Sequence, residues 1–444
     1  MRLDVYVRDT MVGVLEQTER ARFVFTYLPN TPRDRAVSLL MPVRAESWVS
    51  PFLHPVFQVS LPEGALRLAL ERAFAKQVDR FDDMELLAVV GENLVGQLQL
   101  VPQGVVPQDR TPHETLENLV SGETSQLVEH YLGARLPDSG VSGGFLKFLA
   151  RSPVGATPGK KTHHLTLGYD RWIVKLADED RPFIVPLEYF GMRAAREAGL
   201  DVPEIKLSED RERLLVRRFD RDAAGERLGF EDMCALLGLP AREKFVGSVE
   251  RIVRVIRAFC PGARGAENLD AFYGQYVLAS VLRNGDAHLK NFGLLYGPGQ
   301  PPRLAPVYDM LSMAVYAPRD NTGDAQDGMA LTLGGTKRWL TDKTLKVLAV
   351  LCGVPTPRQQ SWAQRITAAV LTVGDEIRRT CDGYPGFTPT VARMLELWSH
   401  GVRLLDVEAA QTLERMAAEV AQECDAPTGA VQNFVFRPRC LPGV

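Results

Sequence analysis

The chain has 444 residues and 45% hydrophobic content, too long for one ordinary core and apolar enough to fold throughout, so two to three domains or one bilobed unit are expected. Its 52 basic and 55 acidic side chains leave a formal net charge of −3, which gives no electrostatic reason to expect nucleic-acid binding by the chain alone. The start MRLDVYVRDT lacks the apolar core of a signal peptide, no apolar run reaches the roughly 18 residues of a membrane span, and Cys234, Cys260, Cys352, Cys381, Cys424 and Cys440 form no Cys-x-x-Cys pair; a reduced, soluble, cytoplasmic protein with ordinary buried thiols and no metal-site spacing is expected.

The first third reads as mixed. LDVYVR, VGVLEQ and RFVFTYL alternate apolar and polar residues as half-buried strands do. A loop at LPEG leads to helical GALRLALERAFAK and DDMELLAVV, and a strand, VGQLQLVP, closes the segment near Pro102. PQGVVPQDRTP is a connector. From Asp138 the texture changes. DSGVSGGFLKFLAR is a Gly/Ser turn entering a strand, and HHLTLG and RWIVKLA, separated by YD, form an expected hairpin. PLEYFGMRAAREAGL is a helix stopping at Gly199, and DVPEIKLSED and RLLVRRFDR complete a small sheet. Beyond Gly225 the chain is mainly helical, with helical periodicity in VGSVERIVRVIRAFC, NLDAFYGQYVLASVL, TDKTLKVLAVLC, SWAQRITAAVLTVGDEIRR and DVEAAQTLERMAAEVAQE. The expected division is 1–105, a small β-rich unit at 136–224, a helical unit at 225–425 and a loose Pro-rich tail at 426–444.

Within the helical unit, RNGDAHLKNFGLL crowds Asn284, Asp286, His288, Lys290 and Asn291 into one turn between two apolar elements. Asp309 follows after a second short strand in RLAPVYDML. An Asp, an Asn and a distal Asp at loop ends suit phosphoryl transfer. One carboxylate takes the proton of the attacking hydroxyl, while an amide oxygen and a second carboxylate hold magnesium against the phosphates. Asp-x₄-Asn alone is equally a polar surface turn; its weight comes from what precedes it. SGVSGGF, with Ser139, Ser142, Gly143 and Gly144, has the small residues that let backbone N–H groups approach phosphate oxygens. In RWIVKLA, strand alternation puts Lys175 on the face of Ile173, opposite Trp172 and Val174. Glu188, on the next helix, is placed to pair with it and fix the ammonium for the α- and β-phosphates. Asp286 is therefore the expected base, Asn291 and Asp309 the metal ligands, and Lys175, Glu188 and the Gly-rich turn the nucleotide-binding groups. His288 and Lys290 face the phosphates or cap the loop.

At these residues the sequence resembles the HipA family of bacterial toxin kinases, over nearly its whole length. VYVRDTMVGVLEQTERARFVFTYL resembles the family's N-terminal segment, VSGGFLKF its Ser-Gly-x-Gln-x-Lys loop, WIVKLA its lysine strand and VPLEYFGMRAAREAGLDVPEIKL its Glu helix; NGDAHLKNFGLL and LAPVYDML match later blocks. The resemblance implies an α+β, two-lobed protein-kinase-like fold with an extra mixed N-terminal subdomain and a mainly helical C-terminal lobe. It implies an ATP- and Mg²⁺-dependent serine/threonine protein kinase, the toxin partner of a small HipB-like helix-turn-helix antitoxin, acting on a protein such as an aminoacyl-tRNA synthetase and meeting DNA only through the antitoxin. It implies that Lys175 contacts ATP, that Asp286 is catalytic, that Asn291 and Asp309 hold magnesium, and that autophosphorylation of Ser142 silences the kinase. Hinge contacts to adenine would be backbone ones around Arg217, Arg218 and Phe219. Two positions depart from the family pattern: Phe145 stands where Gln is usual, with Ser139 a second phosphoacceptor, and Arg217 stands where an acid is usual. Asp220 and Arg221 are read as salt bridges joining lobes. Two other functions compete: a pseudokinase-like repression module that binds antitoxin without transferring phosphate, and a metal-dependent phosphohydrolase or nuclease built from Asp286, His288 and Asp309, which leaves Lys175 and the Gly-rich turn without a role.

Overall fold

A computed structural model describes residues 1–18, 22–74, 81–108, 115–124, 126–127, 147–153, 169–177, 180–380 and 386–425. Among them the architecture is mixed α+β, with a distinct N-terminal sheet unit and a helical C-terminal region. Strands β1 (Arg2–Val7), β2 (Thr10–Gln17), β3 (Phe23–Tyr27), β4 (Trp48–Ser50) and β5 (Leu98–Pro102) form one antiparallel sheet in the order β4-β3-β2-β1-β5. Alternation buries Leu3, Val5 and Val7 on one face, and these pack with Phe25, Phe57 and the apolar stripes of α1 (Gly64–Phe74) and α2 (Asp83–Val90). Asp82 caps α2, its carboxylate accepting from Met84 and Glu85 N–H.

The second sheet runs β6-β7-β9-β8, from β6 (Lys147–Pro153), β7 (Tyr169–Leu176), β8 (Ile205–Leu207) and β9 (Arg213–Arg217). Here the hairpin expectation needs correction. Tyr169 and Asp170 are not a turn but the start of β7, with Tyr169 opposite Pro153, so the hairpin partner of the lysine strand is β6; residues 163–168 lie outside the described residues. A short helix, α3 (Leu116–Ser121), is fastened to this sheet by the fully buried Arg213, which donates to the carbonyls of Leu119, Val120 and Gly122. Helix α4 (Ile184–Glu197) follows β7 and ends as expected at Gly199, whose φ of +75° suits a residue without Cβ.

The C-terminal region holds α5 (Val249–Phe259), α6 (Gly262–Val281), α7 (Asp342–Cys352), α8 (Thr356–Thr380), α9 (Thr388–Val402) and α10 (Val407–Asp425), together with a small sheet β10-β11-β12 from β10 (Gly229–Asp232), β11 (Gly293–Gly297) and β12 (Gln300–Leu304). Sequence reasoning missed β10 and α9. Four residues carry too little alternation to read as a strand. Helix α9 buries Val391, Met394, Leu395, Trp398 and Val402, spaced i, i+3, i+4, i+7 and i+11 on one face, so its amphipathic pattern was present in the sequence and was passed over. Cys234, Cys260 and Cys352 are buried free thiols, and no helix among the described residues is long and apolar enough to cross a membrane.

The N-terminal unit touches both other parts. Asp220, fully buried, pairs with Arg218 and accepts from Gly96 N at 2.7 Å, while Arg218 Nη2 donates to Leu94 O at 2.8 Å. Farther along, the Glu231 carboxylate accepts from Ser38 Oγ at 2.6 Å and Leu39 N at 2.8 Å. Burial opposes the Asp220 charge, but Arg218 and Arg221 hold its carboxyl well below the usual range. Asp220→Ala strands two buried guanidinium groups and is expected to cost about 3–5 kcal/mol, read as a lowered urea midpoint at unchanged slope.

Candidate active site

One cleft of about 360 Å³ is lined by Lys175, Glu188, Asp286, His288, Lys290, Asn291 and Asp309, so the four side chains expected to share a site (175, 286, 291 and 309) do share one. Its polar floor is built by three local devices. Helix α6 ends in a tight loop that Asn284 organises: its Oδ1 accepts from Asp286 N at 3.2 Å, and its Nδ2 donates to Asp309 O at 3.2 Å. The loop then closes on the Asp286 carbonyl, which accepts from His288 N at 2.7 Å and from Asn291 Nδ2 at 2.9 Å. That contact engages the Asn291 amide nitrogen and fixes the orientation of its side chain. Asp309 sits at φ +53°, a conformation unfavourable for a side chain with Cβ, and is held there by contacts on both its carbonyl and its carboxylate.

Lys175, on the cleft face of β7, pairs with both Glu188 and Asp309; Trp172 and Val174 point the other way into a separate apolar cluster. Glu188 reaches it because α4 lies close to the chain after Asp309. A Cβ on Gly191 would stand 2.2 Å from the Met310 carbonyl oxygen. Gly191→Ala is therefore expected to push α4 outward, to cost about 1–3 kcal/mol and to lower any activity that needs the Lys175–Glu188 pair, measured as a urea midpoint and an initial rate on one preparation.

The electrostatics separate the titratable groups. Burial, with Lys244 opposing and Asp309 reinforcing, pushes the Asp286 carboxyl up to about 6. Burial and the nearby ammonium of Lys244 push His288 down to about 4, so its ring is neutral at neutral pH; it rests edge-on to Phe245, with ring centres 5.0 Å apart. Lys290 is fully engaged: its ammonium donates to Asp232 at 2.9 Å and to Val59 O at 3.1 Å. Of the two roles open to Lys290, the geometry is that of a loop cap tied to the N-terminal unit.

The apolar wall opposite comprises Ile173, Val216, Phe219, Phe230 and Tyr308, with Val59 and Val95 from the N-terminal unit. Phe219 stacks on Tyr308 at 5.5 Å and 27°. Arg217 spends its backbone N–H on Glu204 O at 2.8 Å, and Arg218 its own on Arg171 O at 2.8 Å and its side chain on Asp220 and Leu94, so of the three expected hinge residues only Phe219 lines the cleft. Sequence reasoning missed Val59, Val95, Phe230, Tyr308 and Lys244 as lining residues. Tyr308 had a signal, since it adjoins Asp309; the others are brought in by chain folding alone. Ser139, Ser142, Gly143 and Gly144 lie outside the described residues.

No group of three or more His, Cys, Asp or Glu among the described residues forms a metal cage. The amide oxygen of Asn291 and the carboxylate of Asp309 are nevertheless hard oxygen donors lining one cleft, and such a pair fits Mg²⁺, which keeps waters and completes its shell with substrate phosphates.

Comparison with known proteins gives a consistent result. The model of the HipA-like C-terminal domain matches residues 140–374, and that of the HipA N-terminal domain matches residues 3–101. Two Sinorhizobium fredii proteins named as putative kinases are similar: Y4mE is 29% identical, covering 75% of this chain and 80% of its own, and Y4dM is 27% identical, covering 76% and 81%. Among solved structures, a Shewanella oneidensis complex of HipA, HipB and operator DNA contains a chain similar in fold, with a TM-score of 0.64 at 18% identity over 95% of this chain and 99% of that one.

Proposed function

The chain belongs to the HipA-like family, and from that premise we propose that it is an ATP- and Mg²⁺-dependent serine/threonine protein kinase with a two-lobed, protein-kinase-like arrangement. The observation that carries this reading is the Lys175 ammonium held between Glu188 and Asp309 in the cleft that Asp286 and Asn291 also line. A pseudokinase or a simple phosphohydrolase has no need of that combination.

In this reading the apolar wall takes the adenine, with Phe219 and Tyr308 against its ring. Lys175 binds the α- and β-phosphates, its orientation fixed by Glu188. Asn291 and Asp309 would hold magnesium, whose charge when bound offsets that of the phosphates. The acceptor hydroxyl enters beside Asp286, which takes its proton. The hydroxyl oxygen bonds the γ-phosphorus as the bond to the bridging oxygen breaks, and ADP leaves with that electron pair. Neutral His288 walls the site without competing for the proton.

The wider assignments follow from the family and from the Shewanella oneidensis complex. This chain would be the toxin of a pair with a HipB-like helix-turn-helix antitoxin, would meet operator DNA only through it, and would phosphorylate a translation component such as an aminoacyl-tRNA synthetase. Autophosphorylation at Ser142 would add roughly two negative charges to the loop meant to hold ATP phosphates and so silence the enzyme. Labelled ATP decides the reaction. Label on protein, with phosphopeptides mapping to Ser142, is the expected result; no transfer favours the pseudokinase, and label released only to water favours the hydrolase. Phosphate found only outside residues 139–142 in an active kinase removes the Ser142 assignment.

A further inference from the structure

Arg283 lies three residues before Asp286, at the end of α6, with φ +56°, a left-handed conformation that costs an arginine on the order of 1 kcal/mol. Contacts on every side hold it there. Its carbonyl accepts from Ala314 N at 3.1 Å, its Nη1 donates to Ser280 O at 3.1 Å, and its guanidinium lies 5.1 Å from the centre of the Trp339 ring. The remaining edge grips one carboxylate with two parallel bonds, Nε to Asp324 Oδ1 at 3.1 Å and Nη2 to Asp324 Oδ2 at 2.7 Å, the planar fork that gives an arginine–carboxylate pair its strength. The side chains are only 7% and 18% exposed, so water screens the pair little.

Asp324 belongs to the segment that leaves the cleft after Asp309 and returns past it. Residues 318–326 form a small hairpin: Asp320 N donates to Asp324 O at 2.8 Å and Gln326 N to Pro318 O at 2.8 Å. The far side of the hairpin rests on α9, where Arg393 Nη1 donates to Gly323 O at 2.8 Å and His400 Nδ1 stands 3.5 Å from Asp324 Oδ1. Just beyond, Asp327 lies against Gly285, where an added Cβ would come 2.1 Å from its Oδ2. Thr332 then forms a bridge with Ser248, three residues beyond Phe245, which lines the cleft. Among the described residues, one ionic link joins this segment to the loop that carries Asp286, and it is Arg283–Asp324.

In many protein kinases the corresponding segment is ordered by a phosphate that an arginine binds. A carboxylate encoded in the chain supplies the same two anionic oxygens permanently. We infer that the Arg283–Asp324 pair is a built-in latch that holds the 318–338 segment and the Asp286 loop in working register, so that this chain needs no phosphate on that segment to act. Arg283 and Asp324 are positioning residues in this account, and their effect on turnover rests on the kinase reading; their effect on order does not.

The test uses the full chain and Asp324→Asn, which keeps the shape and removes the charge, with Asp324→Glu as the conservative control. Amide hydrogen exchange in Asp324→Asn is expected to rise at least about tenfold in residues 283–288 and 318–326, with α5 unchanged. Transfer from labelled ATP to casein is expected to fall about tenfold to a hundredfold in kcat, the scale of a small misplacement, with the KM for ATP within about twofold, and Asp324→Glu is expected to recover most of the loss. Parental exchange in Asp324→Asn overturns the latch, as does a parent enzyme whose turnover disappears when a phosphatase strips phosphate from residues 318–338. A parent that transfers no label sinks the kinase reading instead, and the exchange measurement still decides the latch.

Discussion

Asp286→Asn is expected to remove phosphoryl transfer, by about 10² to 10⁴-fold in kcat, and at the same time to make the protein more stable at neutral pH. Both effects have one origin. Among the described residues the Asp286 carboxylate oxygens receive no hydrogen bond; the contacts to this residue are made by its backbone. Burial, with Asp309 adding to it, raises its proton affinity to about 6, which suits a base that must take a proton near neutrality. The sign for stability follows from linkage. The folded state binds this proton more tightly than the unfolded chain, so the group's contribution is most favourable below the unfolded value near 3.8 and declines as pH rises through about 6. Above that pH the charge is a standing penalty. A neutral isostere relieves it, by about 1–2 kcal/mol after discounting for the group's partial exposure. The checks are a urea melt at pH 7.5 and an ATP-to-casein rate on the same preparation. The parent's kcat/KM should fall tenfold per pH unit below about 6. A variant that turns over at the parent's rate, or is less stable than the parent, contradicts the assignment.

Lys175→Met is expected to do the opposite to stability while also removing activity. It leaves Glu188 and Asp309 facing each other in a buried site without the ammonium between them, and removing one member of such a group costs about 3–5 kcal/mol. Burial disfavours the Lys175 charge, but Asp309 and Glu188 together hold its pKa above the ordinary lysine value. The lysine's contribution to stability is therefore complete below about 10, the unfolded lysine value, and is lost only as pH rises through the raised one. Activity near neutral pH is thus controlled by Asp286 and not by this pair. The measurements are the urea midpoint and the binding of a fluorescent ATP analogue, both expected to drop. A Lys175→Met variant as stable as the parent would mean that the carboxylates are not held together by the lysine in solution.

The two variants differ because of the number of partners each charge has. Asp286 is a charge kept short of partners, as a proton acceptor must be. Lys175 is a charge surrounded by them. Stability and function oppose each other at the first and coincide at the second.

Local pattern carried a large part of this protein. The alternation of LDVYVR and RFVFTYL, the helix stop at Gly199 and the side of β7 on which Lys175 lies are properties of a few consecutive residues, and period and turn chemistry determine them before any tertiary contact forms. The same holds for the five-residue spacing of Asp286 and Asn291, since one tight loop closes on one carbonyl. Asp309 meeting Lys175 across 134 residues, the apolar wall from Val59 and Val95, the capture of Lys290 by Asp232 and the pairing of Arg283 with Asp324 were settled only when the chain folded. Residue pattern states which face of an element must be covered and which charges need partners; it does not state which distant surface supplies them. That choice depends on how whole sheets and helices pack, and no short stretch of sequence contains it.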